Sequence, residues 1–191
     1  ARVLADRLQA VLADAISPTQ TAFIRKRRIG NNVITLQLLL HVLPSTCTGS
    51  EALAVLVDFY KAYDTIDRGF LLAAMEAMGV GPEYRSWVTT LLTNTKASAV
   101  MNGYQSQQVQ FAAGVRQGCP LSPLLYLFVG EALLRFLQAR GVGLTVHGTQ
   151  LTATQFADDT QVFLESAAQL PAFLSAMIRI KAASGQQVNI N

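Results

Sequence analysis

The amino-acid sequence predicts an α+β fold in which helices pack against an antiparallel sheet. The 191 residues are 51% hydrophobic and 14% charged, which excludes a disordered or purely solvated segment. Apolar runs typical of strands occur between segments of helical periodicity, but not in the regular strand–helix alternation of a parallel sheet. An Asn102-Gly103 pair between two such runs is typical of a β-hairpin. The densest apolar stretch is too short to span a membrane, so no membrane association is expected.

Helices are predicted where apolar residues recur at helical spacing. The first helix ends near Ser17-Pro18, because a residue that precedes proline disfavours the helical backbone. A second helix, over residues 33–43, ends at Pro44 and is followed by a polar connector up to Glu51. The remaining helices are predicted over residues 69–78, from Pro82 onward, over 122–138 and over 168–184, where Gly185 caps the last one.

Strands are predicted from short apolar or alternating runs that end at turn residues. Residues 52–57 form an unbroken apolar run, which is typical of a buried central strand. Residues 97–101 and 104–111 would be the arms of the hairpin. Further strands are predicted over residues 144–147, 151–156 and 160–164, with a tight turn at 157–159.

Three carboxylates lie at the ends of predicted strands: Asp58 after the first strand, and the adjacent Asp158 and Asp159 in the later turn. If these strands are neighbours, like charges about 4 Å apart repel by roughly 4 kcal/mol at an effective dielectric near 20. Such a cluster persists only with bound cations or raised pKa values. Oxygen ligands without nearby His or Cys favour Mg²⁺ over zinc, and a two-metal carboxylate site suits phosphoryl displacement. Taken alone, the Asp158-Asp159 pair is equally typical of an ordinary turn.

Charge and cysteine content narrow the classes of partner. The net charge of +3 and a pI near 9.1 admit nucleic acid as a partner, and basic residues stand together at 25–28. Cys47 and Cys119 are far apart in the chain, which excludes a zinc module or a disulfide framework and fits a reducing compartment.

Three segments resemble motifs A, B and C of reverse transcriptases, in the order and spacing of that family. They are residues 57–64 (VDFYKAYD), 114–123 (GVRQGCPLSP) and 155–159 (QFADD). The forms of motifs B and C resemble the non-LTR (LINE-type) retrotransposon branch, and residues 16–23 (ISPTQTAF) resemble its fingers segment. Group II intron enzymes, which more often have Tyr at the position of Phe156, are the alternative branch. A palm that has lost catalysis and acts as an RNA-binding scaffold is the alternative function.

The resemblance implies an RNA-directed DNA polymerase fold: a palm with an antiparallel sheet backed by helices, plus mainly helical fingers, with the thumb absent. Residues 1–50 would be mainly fingers, and 51–70 would carry motif A. Residues 71–120 would hold helices and a hairpin of fingers and palm, leading into motif B. Residues 121–191 would be palm with motifs B, C and the start of D. We expect a fragment of a longer polyprotein with endonuclease and thumb domains elsewhere, and poor activity of the isolated piece.

The resemblance also implies roles for individual residues. The partners would be an RNA template, a DNA primer and dNTPs, with two Mg²⁺ ions that Mn²⁺ could replace, and the setting would be intracellular and nuclear. Tyr63 would lie under the deoxyribose and exclude a 2′-hydroxyl, and the family usually has Gly at the position of Arg27. The implied site residues are as follows: catalytic and metal-binding Asp58, Asp158 and Asp159, with the Phe59 backbone; nucleotide-binding Lys61, Ala62, Tyr63, Gln117, Gly118 and Arg28; template- and primer-binding Phe156, Ala157 and Arg116.

Overall fold

The computed structural model describes residues 1–46 and 52–189. Within that part the chain is a mixed helix and sheet structure. One short 3₁₀ helix, Ala167–Gln169, precedes the last α-helix. The α-helices are α1 (Arg2–Gln9), α2 (Leu12–Ala15), α3 (Ile29–Thr46), α4 (Arg68–Ala77), α5 (Pro82–Leu92), α6 (Ser122–Ala139) and α7 (Leu170–Ser184).

The strands are short and all of their ladders are antiparallel. A three-stranded sheet has the order β1-β10-β9, and four further pairs join β2 with β11, β3 with β6, β4 with β5 and β7 with β8. The strands are β1 (Leu53–Val57), β2 (Phe59–Tyr60), β3 (Lys96–Ala97), β4 (Val100–Met101), β5 (Tyr104–Gln105), β6 (Val109–Gln110), β7 (Leu144–Val146), β8 (Thr149–Leu151), β9 (Ala153–Phe156), β10 (Asp159–Leu164) and β11 (Gln187–Val188).

The prediction that residues 52–57 form a central strand is wrong, because β10 occupies the centre of the sheet and β1 lies at its edge. In addition, β1 leaves one of its two faces exposed, the face that carries Ala54 and Leu56. Val57 is 5% exposed, whereas its neighbour Leu56 is 74% exposed. An apolar run in the sequence cannot reveal which of its residues face away from the core.

Helix α6 forms the centre of the hydrophobic core. Its residues are apolar on almost every side, which is the pattern of a helix that is buried all round. Leu127, Phe128 and Leu137 are completely buried, and Pro123 in the first turn is compatible with a helix start. Helices α1, α4 and α7 pack against it. The sheet residues Val57, Ala153 and Val162 belong to the same hydrophobic core as this helix.

Two helix predictions differ from the structure. The first predicted helix is divided into α1 and α2 by a turn at Ala10 and Val11. Helix α3 begins at Ile29 and continues past Pro44 to Thr46, so the prediction that it ends at Pro44 is wrong. Pro44 removes one backbone hydrogen bond, the one from its own nitrogen to the Leu40 carbonyl, and the helix extends only two residues beyond it. The predicted connector extends into residues 47–51, which lie outside the described residues, as do residues 190–191 at the end of the predicted motif D.

Two hairpins have positive φ angles at both central residues of their turns. In the predicted hairpin, between β4 and β5, φ is 50° at Asn102 and 81° at Gly103, which confirms the turn. The second hairpin, between β7 and β8, turns at His147 (φ 47°) and Gly148 (φ 77°). It was not predicted, and as a result the predicted strand over 151–156 is divided between β8 and β9.

Two glycines allow backbone segments to approach the chain just after β2. Gly114 has a φ of 77°, and a Cβ there would lie 2.5 Å from the Asp64 carbonyl oxygen. Gly185, which caps α7 with a φ of 76°, leaves no room for a Cβ beside the Thr65 carbonyl oxygen. These contacts hold residues 61–66 between the segments that precede α6 and follow α7.

In the ranges 1–46 and 52–189, none of the helices combines the length and the apolar composition that a membrane span requires.

Candidate active site

The three predicted carboxylates meet at one end of the sheet. In the β1–β10 ladder Val57 pairs with Thr160, so the register continued by one residue brings Asp58 beside Asp159, the first residue of β10. Asp158 lies in the loop between β9 and β10. Asp58 and Asp159 are exposed, and Asp158 is half-buried. The juxtaposition inferred from strand ends is therefore present in the fold.

The surroundings raise the pKa of Asp158 above its usual value. The largest cause is burial, which disfavours the charged carboxylate, and a backbone hydrogen bond opposes it. The negative charges of Asp159 and then Asp58 raise the pKa of Asp158 further. Asp158 is therefore electrostatically coupled to both other carboxylates, and a cation at this end of the sheet would relieve their repulsion.

The donors at this site suit a hard divalent ion. Within the described residues, no group of three or more His, Cys, Asp or Glu side chains is arranged to hold a metal ion by itself. Mg²⁺ does not need such a cage, because it usually binds through one or two carboxylates together with water and substrate phosphates. The carboxylates and nearby backbone carbonyls are oxygen donors only, so they fit Mg²⁺ better than zinc.

Asn189 contacts Asp58 through both its side chain and its backbone. Its Nδ2 donates to Oδ2 of Asp58 at 2.9 Å, and its N–H donates to the Asp58 carbonyl oxygen at 2.8 Å. The pairing of β11 with β2 holds the two residues together. The site prediction missed Asn189. Its position in the segment that resembles the start of motif D was the one available signal.

Tyr63 packs against a buried network formed by Tyr126 and Gln186. Its ring lies 4.8 Å from the ring of Tyr126, measured between centroids. The Tyr126 hydroxyl donates to Oε1 of Gln186 at 3.0 Å, and Nε2 of Gln186 donates to the Ala62 carbonyl oxygen at 2.7 Å. Burial, followed by the charge of Asp158, raises the pKa of Tyr63 to about 12. The phenol is therefore neutral at physiological pH and lies close to the carboxylates.

Gln117 lies beside the carboxylate of Asp64 rather than free in the loop. Its Nε2 donates to Oδ1 and Oδ2 of Asp64 at 3.1 and 3.2 Å. Both side chains line a cavity of about 710 Å³ whose walls also carry four cationic residues. The cationic residues are Lys61, Arg68, Lys96 and Arg116. Among the described residues of that wall Asp64 is the one acidic residue, so the wall carries a positive excess. The Arg68 guanidinium donates to the carbonyl oxygens of Leu92, Phe111, Ala113 and Gly114, so it fixes the wall and offers no free donors.

Three further residues are predicted to bind the nucleotide or the template. Gly118 follows Gln117 in the chain, and Phe156 and Ala157 lie at the turn between β9 and β10. Gly118 is exposed with a φ of 80°, a conformation that glycine adopts readily. Phe156 is half-buried and its ring centroid lies 6.5 Å from that of Phe23. Ala157 is buried, and its backbone is hydrogen-bonded to the side chain of Gln20.

The basic run at 25–28 contains two kinds of residue. The Arg27 guanidinium donates to the carbonyl oxygens of Ser17, Gln20, Ala13 and Ile16, at 2.6, 2.8, 2.9 and 2.9 Å respectively. Burial lowers the pKa of Arg27, and the charge of Glu131 partly offsets this. Arg27 is thus a structural residue that the site prediction missed, whereas the predicted Arg28 is exposed.

Comparison with known proteins identifies the family. The sequence profile described as "Reverse transcriptase (RNA-dependent DNA polymerase)" matches residues 1–191. The chain belongs to the reverse transcriptase family. Enzymes of this family use divalent metal ions, which agrees with the oxygen donors at the end of the sheet.

Relatives of this reverse transcriptase chain come from transposable elements. It is 29% identical over 191 residues to the "Transposon TX1 uncharacterized 149 kDa protein" of Xenopus laevis, covering 99% of the chain and 14% of that protein. It is 28% identical to the "Retrovirus-related Pol polyprotein from type-1 retrotransposable element R2" of Popillia japonica, covering 98% and 26%. These TX1 and R2 relatives confirm the prediction of the non-LTR branch. The chain spans about a quarter or less of their length.

Solved structures with a similar fold include two telomerases. Apo telomerase from Candida tropicalis has a TM-score of 0.62 at 11% identity, and the match covers 100% of this chain and 40% of that one. Telomerase from Candida albicans, solved with a fragment of telomeric RNA, has a TM-score of 0.59 at 11% identity, with coverages of 98% and 33%. At this identity the likeness shows the fold alone.

Proposed function

We propose that this chain is the part of an RNA-directed DNA polymerase that transfers a nucleotide from a dNTP to a primer 3′-hydroxyl on an RNA template. The observation that carries the proposal is the meeting of Asp58, Asp158 and Asp159 at one end of the sheet, with the pKa of Asp158 raised in part by the other two. The three-stranded sheet with the helices beneath it would be the palm, and the segment before β1 would be mainly fingers.

Asp58, Asp158 and Asp159, with the Phe59 carbonyl group, would hold two Mg²⁺ ions, which Mn²⁺ could replace. Bound divalent ions would activate the attacking hydroxyl and neutralise charge on the leaving group. In the reaction the 3′-hydroxyl oxygen bonds to the α-phosphorus and its proton passes to solvent. The bond from that phosphorus to the bridging oxygen breaks, and pyrophosphate leaves.

The chain's own residues would contribute mainly by positioning the reactants. Lys61 and the backbone of Ala62 would face the triphosphate, and Tyr63 would lie under the sugar. The Tyr126 ring and the buried Gln186 amide support the position of Tyr63, since both hold its surroundings from the core side. Gln117 and Gly118 would line the nucleotide from the side of the cationic cavity.

The template and primer would bind through basic and aromatic residues. Phe156, Ala157 and Arg116 would contact the primer or template, and the exposed Arg28 would contact phosphate. Such contacts neutralise phosphates and release counterions, so binding should weaken steeply with salt. The relatives are much longer than this chain, and we propose that further domains of a polyprotein complete the nucleic-acid binding surface.

Primer extension on an RNA template by the complete protein tests the proposal. Asp58→Ala and Asp158→Ala should each reduce the rate below about a hundredth of wild type, a loss of roughly 2.7 kcal/mol of transition-state stabilisation. Glu165→Ala is the matched control, because Glu165 is an exposed acidic residue just beyond the other end of β10. If either Asp variant retained more activity than this, the assignment would be wrong.

The same assay separates the proposal from a palm that serves only as an RNA-binding scaffold. A scaffold would bind RNA but extend no primer at any concentration of Mg²⁺ or Mn²⁺, and its affinity for RNA would not depend on Asp158.

A further inference from the structure

The side-chain amide of Gln20 brackets the backbone of Ala157. Its Nε2 donates to the Ala157 carbonyl oxygen at 3.2 Å, and its Oε1 accepts from the Ala157 N–H at 3.1 Å. Gln20 is completely buried and Ala157 is 6% exposed. One side chain therefore satisfies both polar backbone groups of the residue directly before Asp158.

Ala157 has a backbone conformation that requires support from its surroundings. Its φ is 57°, in the left-handed region, which costs a non-glycine residue about 1–2 kcal/mol. The β9–β10 ladder ends at the pair of Phe156 and Asp159, so Ala157 lies beyond it. A buried backbone group without a partner would cost about 1–3 kcal/mol. The Gln20 amide removes that cost and helps to maintain the strained conformation.

Gln20 is itself held firmly against β9. It forms a parallel bridge with Gln155. The Gln155 N–H donates to the Thr19 carbonyl oxygen at 2.8 Å, and the Thr21 N–H donates to the Gln155 carbonyl oxygen at 2.9 Å. With its backbone fixed on both sides, the buried side chain has little freedom to leave the turn.

We infer that Gln20 is a positioning residue for Asp158, an inference that rests on the proposed function. By fixing both peptide groups of Ala157, Gln20 sets the direction in which the chain enters Asp158. It thereby sets the orientation of the Asp158 carboxylate relative to Asp58 and Asp159. The conformation of this turn is fixed when the protein folds, so the binding of a cation does not have to impose it.

Gln20→Met tests this role, because methionine has a similar length and volume but makes neither hydrogen bond to Ala157. In primer extension by the complete protein, the Mg²⁺ concentration for half-maximal rate should rise about tenfold, the lower end of the effect of losing a partner that orients a metal ligand. Rates are expressed per competent active site from a single-turnover burst. A smaller folded fraction then leaves the Mg²⁺ midpoint unchanged.

A second measurement needs no polymerisation. Thermal unfolding in a MgCl₂ titration, without nucleic acid, should show a smaller rise in Tm for Gln20→Met than for wild type at equal Mg²⁺ concentration. If the proposed function itself were wrong, wild type would extend no primer, yet this difference in Tm response would still report on Gln20 and the carboxylates.

Thr21→Val is the matched control, since Thr21 is the next residue and only 2% exposed. Its hydroxyl donates to the Gln155 carbonyl oxygen at 3.3 Å and not to the Ala157 turn. It should keep the wild-type Mg²⁺ midpoint. If Gln20→Met folds poorly, Gln20→Asn replaces it, because its amide is one methylene too short to reach both groups of Ala157 and should produce the same shift.

Adding Ala157→Gly to Gln20→Met should restore part of the Mg²⁺ response, because glycine adopts a positive φ without penalty. The inference is overturned if the Gln20 variants keep the wild-type midpoint and Tm response, if they shift them no more than Thr21→Val, or if Ala157→Gly restores nothing.

Discussion

Asn189 donates a hydrogen bond from Nδ2 to Oδ2 of Asp58 across 2.9 Å, just beyond the end of the β2–β11 pair. Together with the bond from the Asn189 N–H to the Asp58 carbonyl oxygen, this contact restrains the orientation of the Asp58 side chain. The last described residue of the chain therefore helps to orient a carboxylate that follows the first strand of the sheet.

Asn189→Ala should raise the Mg²⁺ concentration for half-maximal primer extension by about tenfold, because Asp58 loses the partner that orients it. Asn189→Asp keeps the shape of the side chain but puts a second negative charge beside Asp58. In the absence of Mg²⁺ it should therefore lower the stability of the fold more than Asn189→Ala does. Gln187→Ala is the control, since Gln187 is an exposed residue two positions earlier and pairs with Tyr60 through its backbone. Equal Mg²⁺ midpoints for Asn189→Ala and Gln187→Ala would contradict this prediction.

Tyr63→Ala should increase the use of ribonucleotides relative to deoxyribonucleotides about tenfold or more, because it opens space for a 2′-hydroxyl under the sugar. Tyr63→Phe should change this ratio little, since the exclusion is steric and the phenol is not ionised at neutral pH. The measurement is the ratio of kcat/KM for dNTP and rNTP in single-nucleotide extension. An unchanged ratio in Tyr63→Ala would make Tyr63 an ordinary core aromatic.

Local signals in the sequence predicted those parts of the fold that depend on neighbouring residues. The turn at Asn102-Gly103 and the cap at Gly185 both follow from the need for a positive φ, and the structure has both. Helix α6 was predicted from apolar residues that recur at helical spacing. The meeting of Asp58 with the 158–159 turn was predicted on the condition that their strands are neighbours, and the β1–β10 pairing meets that condition.

Features that depend on distant contacts could not be predicted. The exposure of Leu56 depends on which face of β1 the fold leaves uncovered, which the apolar run does not reveal. Gln20 and Asn189 are ordinary polar residues in sequence, and their importance arises from partners more than a hundred positions away. Arg27 was one of four adjacent basic residues, and only the fold separates it from its exposed neighbours.

Arg27→Met should lower the free energy of unfolding by about 2–3 kcal/mol, because it leaves backbone carbonyl oxygens of the segment before α3 without their charged donor. Arg27→Lys should restore little, since an ammonium group cannot reproduce the fork of the guanidinium. Urea unfolding of the complete protein measures both.

Arg28→Ala is the matched control in the same basic run. Because Arg28 is exposed, its stability should change by less than about 0.5 kcal/mol. Its affinity for an RNA–DNA duplex should instead fall, and the slope of log affinity against log salt should decrease by about one. If Arg27→Met changed only duplex binding and Arg28→Ala changed only stability, the two assignments would be reversed.

Asp158→Asn should stabilise the protein in the absence of divalent ions, and the gain should depend on pH. Because the folded protein raises the pKa of Asp158, the folded state holds this proton more tightly than the unfolded state does. The associated stability is fully present below the unfolded pKa of about 3.9 and is lost as pH rises through the folded pKa. Asparagine carries no such charge, so the difference in Tm between variant and wild type should grow over this window and then stay constant.

Mg²⁺ should reverse the order of stability of the two proteins, since wild type would gain about 2.7 kcal/mol at a hundred times its Kd, and the variant much less. A Tm difference that is independent of both pH and Mg²⁺ would show that Asp158 is not the coupled carboxyl of the site.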